Sequence, residues 1–238
     1  MSYNSNFITL FKALYMEEIL NNINIIFYIC AYLVASIPVG AIIVKIFANK
    51  NLLQIGSKST GATNVYRAFV DISPQKAKFF SLLTMFLDAI KGLIVVLVAK
   101  CMGLSFETQY AIAILAILGH CYSPFLFFQG GKGVATAIGG MVLLIPIESC
   151  VGLIIWAVVG KIFKVSSLSS LSGVLSGVIL TFIIPSLFHL PTQIDINQQI
   201  GTHAPIVIIG VIILNTHIEN IKRLIYKEEK QIIGDTVA

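Results

Sequence analysis

Seven apolar runs, at about 24–44, 79–99, 109–128, 134–148, 149–160, 167–190 and 203–219, constrain this sequence more than any other feature. Crossing the hydrocarbon layer of a bilayer takes about 20 apolar residues in a helix, and inside that layer every backbone N–H and C=O must be paired within the protein. The runs lack the strict alternation of membrane barrel strands, which leaves helices. Charge content agrees: 11% of the residues are charged and 57% hydrophobic, against about 25% charged in a soluble domain. The chain is expected to be an all-α integral membrane protein.

The stretch 134–160 fits one long helix or two short ones broken near Pro146-Ile147-Glu148. Charge decides between them. With seven spans and the N-terminus outside, all 16 Lys and Arg residues except Lys12, Lys91 and Lys100 fall on the cytoplasmic side. Merging the two would put Lys161, Lys164 and the basic tail outside, against the positive-inside rule. The sequence therefore predicts seven transmembrane helices, the fourth and fifth of them short, with the N-terminus outside and the C-terminus cytoplasmic. Residues 23–230 make one transmembrane domain, 231–238 a cytoplasmic tail and 1–22 an N-terminal extension. In the extension Phe7, Ile8, Phe11, Leu14 and Tyr15 recur at helical spacing, the pattern of an interfacial helix; one cation and no small-residue cleavage site argue against a secretory signal. Cys30, Cys101, Cys121 and Cys150 form no CxxC pair and are read as free thiols.

This topology brings three polar segments to the cytoplasmic face. Residues 119–136, GHCYSPFLFFQGGKGVAT, contain what looks like a nucleotide loop. GxxxxGK[ST] would need a glycine where Leu126 stands and a hydroxyl where Gly133 stands, and no strand precedes it, so a nucleotide is excluded. A smaller anion site survives: Gly130, Gly131 and Gly133 let backbone N–H groups turn toward an anion, the next helix presents its N-terminus, and Lys132 adds a full charge. The alternative is a glycine turn whose lysine faces lipid headgroups. Residues 56–67, GSKSTGATNVYR, combine hydroxyls, an amide and cations suited to a small polyol phosphate. Arg67 can bind phosphate bidentately, Ser57, Ser59 and Thr63 can donate or accept, and Asn64 supplies the amide; a solvated, helix-capping loop is the plainer reading. At 215–223, His217 and Asn220 share a helix face with Arg223 one turn on. Asp88 and Lys91, three apart inside the second span, are either a structural pair or a support for the site. Ser169, Gly173 and Gly177 are read as helix-packing positions.

Taken in order, SIPVGAIIVK (36–45), GSKSTGATNVYR, LDAIKG (87–92), GHCYSPFLFFQGGKGVAT and NTHIENIKRL (215–224) resemble the bacterial inner-membrane glycerol-3-phosphate acyltransferases that use acyl phosphate as donor. The resemblance covers roughly 25–230. It implies a seven-helix enzyme with a cytoplasmic site, moving a fatty acyl group to the sn-1 hydroxyl of glycerol 3-phosphate to give lysophosphatidic acid, the first step of phospholipid synthesis. It assigns importance to Ser57, Ser59, Arg67, Lys132, His217 and Asn220. Relatives often read GSGNPGATN where Lys58, Ser59 and Thr60 stand here.

An acyl phosphate is already activated, so holding two anionic substrates in attack geometry supplies much of the rate, and cations and amides stabilise the leaving phosphate and the oxyanion. Lys132 with the 130–133 backbone takes one phosphate; Arg67, Ser57 and Ser59 take the other. His217 is the obvious side-chain base, unless it only orients the substrate and a phosphate oxygen takes the proton. The HxxxxD pattern of thioester-dependent acyltransferases is absent, and no carboxylate cluster suggests magnesium. No cofactor, nucleotide or nucleic-acid partner is expected. The rival reading is a transporter or flippase for an anionic phosphate compound, which would show an internal repeat; neither GATN nor GGKG recurs.

Overall fold

The computed structural model describes residues 23–229. The expected interfacial helix in 1–22, Lys230 and the tail 231–238 lie outside the described residues. Within them the protein is helical, with one isolated bridge, Ser123 to Gln129, in place of any sheet.

The first apolar run becomes α1 (Ile23–Ala35) and α2 (Val39–Ala48). Pro38 separates them, because it lacks an N–H and disfavours helix in the residue before it. A break at membrane depth frees carbonyls that lipid cannot satisfy, and side chains from elsewhere cover them: Ser123 Oγ donates to Ser36 O at 2.6 Å and Lys91 Nζ to Ile37 O at 3.2 Å. The 56–67 loop then enters a short amphipathic helix, α3 (Ala62–Phe69), which buries Asn64, Val65, Ala68 and Phe69. Ser73 caps α4 (Pro74–Cys101) by accepting from Lys76 N, with Pro74 at the first position where a missing N–H is harmless. Phe79, Leu82 and Phe86 are exposed apolar residues along α4, while Asp88 and Lys91 are buried.

Next come α5 (Phe106–Cys121), α6 (Val134–Met141), α7 (Pro146–Phe163), α8 (Ser166–Leu187), α9 (Ile196–Ile200), α10 (Ala204–Thr216) and α11 (Ile218–Ile225). Small residues set the packing, as expected where lipid removes the hydrophobic drive between helices. A Cβ at Gly139 would lie 1.9 Å from Ala89 O and one at Gly92 2.1 Å from Thr136 O, so α4 and α6 touch backbone to backbone.

Among the described residues, four helical segments are long and apolar enough to cross a membrane: Ile23–Ala48 taken together, α4, α7 and α8. A fifth results if α10 and α11, bent by 63°, count as one. The protein is thus an all-helical, multi-pass membrane protein. The chain does break between 134 and 160, at Val142–Ile145, but unevenly. α6 has eight residues, about 12 Å at 1.5 Å each, well short of a span, whereas α7 is a full 18 residues rather than the short helix expected. Pro146 opens α7 near the break and Lys164, in the left-handed region at φ 56°, ends it. The last run is not straight to 219; it bends at His217.

Candidate active site

The three polar segments meet through the backbone of the GGKG loop. Thr60 N donates to Gly130 O (3.2 Å), Thr216 Oγ1 to Lys132 O (3.1 Å) and Gly131 N to His120 O (2.9 Å). Gly131 packs against His120 Nε2, from which a Cβ would stand only 1.9 Å, so no other residue fits without displacing the histidine. Gly133 turns at φ 84°, a conformation open to glycine at little cost, and starts α6. Beneath the loop His120 Nδ1 is 3.5 Å from Asp88 Oδ1, which also holds Lys91 Nζ at 2.9 Å. The Asp88–Lys91 pair is therefore paired and buried, and Asp88 and His120 both border the cleft described next.

A cleft of about 350 Å³ opens beside these segments. Ser57, Ser59, Thr63 and Arg67 line it from the first loop, Lys132 and Gly133 from the second, and His217 and Asn220 from the α10–α11 bend. Lys132 Nζ donates to Asn220 Oδ1 in a short contact, and Asn220 Nδ2 passes the bond on to Glu229 Oε1 at 2.6 Å. The same carboxylate accepts from Ser167 Oγ (2.8 Å) and, through Oε2, from Arg223 Nε (2.6 Å). His217 Nδ1 faces Ile213 O at 2.8 Å; a carbonyl only accepts, so Nδ1 carries hydrogen and Nε2 is the acceptor of the neutral ring.

Charge in the cleft is tuned. Burial lowers the Lys132 ammonium to about 8; Glu229 pulls it back up, and Arg223 and Arg67 push it further down. For Glu229, burial works upward, but hydrogen bonds from Arg223, Ser167 and Asn220 together outweigh it and hold the carboxyl below its ordinary value.

Not every residue singled out from the sequence reaches the cleft in the same way. Gly130 and Gly131 lie behind Lys132 and shape its loop, while Arg223 acts through Glu229. Asn64 borders the cleft, but its amide is engaged by its own loop. Nδ2 points at the carbonyls of Leu52, Ile55 and Ser59 (2.9–3.1 Å), and Oδ1 accepts from Ser57 N. Thr63 Oγ1 meets Ser166 Oγ at 2.8 Å, linking α3 to α8. Sequence reasoning missed Glu229 and the serines at the start of α8. Glu229 sits in KEEK, where two acids among lysines read as basic tail, and Ser166-Ser167 begins a serine-rich run of which only Ser169, Gly173 and Gly177 were singled out, as packing positions.

Comparison with known proteins points the same way as the geometry. The family model described as glycerol-3-phosphate acyltransferase matches residues 25–227. A glycerol-3-phosphate acyltransferase of Helicobacter hepaticus is 59% identical over 214 residues, 90% of this chain and 96% of the relative. One from Helicobacter pylori is 45% identical over 221 residues, 92% of this chain and all of the relative. Among solved structures, the glycerol 3-phosphate form of PlsY (YgiH), an integral membrane glycerol 3-phosphate acyltransferase, superposes with a TM-score of 0.74 at 30% identity, covering 87% of this chain and 94% of that one. Its lysophosphatidic acid form superposes at 0.71. With a match that spans nearly every described residue and includes all three segments of the cleft, this chain belongs to the glycerol-3-phosphate acyltransferase family.

Proposed function

We propose that this protein transfers a fatty acyl group from acyl phosphate to the sn-1 hydroxyl of glycerol 3-phosphate, giving lysophosphatidic acid and phosphate. The work is done at the cytoplasmic face of the bacterial inner membrane, in a seven-span topology with the N-terminus outside. The observation that carries the reading is the convergence of Lys132, Arg67, His217 and Asn220 on one cleft built from three separate segments. The names of the relatives supply the acceptor, and the two forms of the PlsY structure, described by glycerol 3-phosphate and lysophosphatidic acid, support the substrate and product.

In this reading Lys132 and Arg67 each neutralise one phosphate, with Ser57, Ser59 and Thr63 donating to phosphate or polyol oxygens and the 130–133 backbone framing Lys132. The substrate hydroxyl oxygen attacks the acyl carbon, the carbon–oxygen bond to phosphate breaks, and phosphate leaves with the bonding pair. The hydroxyl proton passes to His217 Nε2 or to a phosphate oxygen. Asn220 and Arg223, tied to Glu229, keep the Lys132 ammonium aimed. No covalent acyl-enzyme is required, because the donor is already a mixed anhydride.

The test is purified protein in detergent with glycerol 3-phosphate and, in separate arms, palmitoyl phosphate, palmitoyl-CoA and palmitoyl–acyl carrier protein. Lysophosphatidic acid from palmitoyl phosphate alone is expected. Product only from a thioester would overturn the donor, and none from any arm would overturn acyl transfer.

A further inference from the structure

A second, almost wholly apolar chamber of about 60 Å³ lies next to the cleft, between α6, α7, α8 and α10. Val134, Ile138, Trp156 and Ser170 border both spaces, so the chamber adjoins the cleft. From Trp156 to Glu148, which also lines it, α7 runs eight residues, about 12 Å at 1.5 Å each. Glu148 is 0% exposed, and neither of its carboxyl oxygens nor the adjacent Ser149 Oγ has a hydrogen-bond partner. A buried polar group without a partner is costly, and here two sit at one end of an apolar chamber. The other walls, such as Met141, Val174, Val178 and Ile209, supply carbon and no ligand oxygens.

We infer that this chamber takes the tail of the fatty acyl chain and that Glu148 and Ser149 form a polar floor, which fixes the longest chain accepted. This rests on the acyl-transfer reading above. At about 25 Å³ for each carbon, the ratio at which an apolar cavity of about 150 Å³ takes benzene, the chamber holds roughly two or three terminal methylene and methyl groups, while the rest of the chain lies in the cleft. A methyl group gives Glu148 and Ser149 nothing to bond to, so a chain long enough to reach the floor covers them with carbon and binds worse. Gly177 keeps the chamber open: a Cβ there would meet only Glu148 O, at 4.0 Å, so a larger side chain has room to enter. The neighbouring Gly152 and Gly173 instead bring α7 and α8 into backbone contact, with a Cβ on Gly152 2.9 Å from Gly173 O.

The full-length protein in detergent is given glycerol 3-phosphate and an equimolar mixture of saturated acyl phosphates of graded length, and product lengths are read by mass spectrometry. Gly177→Leu should shorten the preferred chain by roughly two carbons, with short donors used at the wild-type rate. Glu148→Leu should extend it, and Glu148→Gln, which keeps the floor polar, should leave it unchanged. If Gly177→Leu does not fold, Gly177→Ala should give a smaller shift in the same direction. Variants that turn over short donors normally with an unaltered length profile overturn the proposal. A wild-type protein that makes no product from any length overturns the acyl-transfer reading instead.

Discussion

Lys132 meets the cleft as a largely desolvated ammonium beside Asn220 and Glu229, with Arg67 and Arg223 close enough to push its proton off. Binding an anionic phosphate needs the protonated form, which is lost as pH rises through about 8. The rate constant kcat/KM for glycerol 3-phosphate should therefore fall on the alkaline side with a midpoint near that value. Glu229 raises the Lys132 value, so Glu229→Gln should move this limb to lower pH, which a pH–rate profile reads directly. Lys132→Ala and Arg67→Ala should each cut turnover by about 10²–10³-fold, the scale of losing one preorganised electrostatic contact, with normal membrane insertion checked by fractionation. Asn64 behaves differently. Asn64→Ala removes two N–H donors shared among three loop carbonyls and the acceptor of Ser57 N. Leu52 O and Ile55 O keep backbone donors. The loss therefore falls on Ser59 O and Ser57 N, at about 1–3 kcal/mol for each one left buried and unpaired, and should lower the thermal unfolding midpoint as well as activity. Residue type alone does not separate Asn64 from Asn220: both are amides beside hydroxyls and cations, and only the fold turns one onto its own backbone and the other onto a lysine.

Among the elements, the short α6 shows how the site is held. Its N-terminus carries the lysine loop, and its glycine face lies on α4, where Thr136 Oγ1 donates to Asp88 O at 3.0 Å. Backbone cannot give way as a flexible side chain can, so Gly139→Val should force α4 and α6 apart and misplace Lys132. A lower unfolding midpoint and loss of activity are expected, while Gly140→Ala on the same helix, where a Cβ stands 3.4 Å from Val96, should be far milder. The apolar runs were readable as helices because lipid leaves the backbone no other way to pair. Their ends were less readable: the α10–α11 bend puts His217 at the corner, its Nδ1 bonded to Ile213 O, and composition carries no trace of that corner.

At the scale of the whole molecule the seven-span reading puts the 56–67 loop and the 100–108 loop on opposite sides of the membrane. In a cysteine-free background, Lys58→Cys should be labelled by an impermeant thiol reagent only from the cytoplasmic side and Glu107→Cys only from the outside; the reverse pattern would invert the orientation. The sequence by itself determined that the chain is helical and membrane-embedded, and it singled out the three polar segments that the fold brings to one cleft. Hydropathy is a local sum, and lysines, glycines and hydroxyls crowded into otherwise apolar sequence stand out without any structure. The tertiary structure alone decided that Glu229 ties Asn220, Arg223 and Ser167 together, that His120 and Asp88 prop the glycine loop, and that Glu148 ends an apolar chamber. Those partners lie 6 to 62 residues apart along the chain, and a contact between distant residues depends on how helices cross and bend, which no local pattern of side chains specifies.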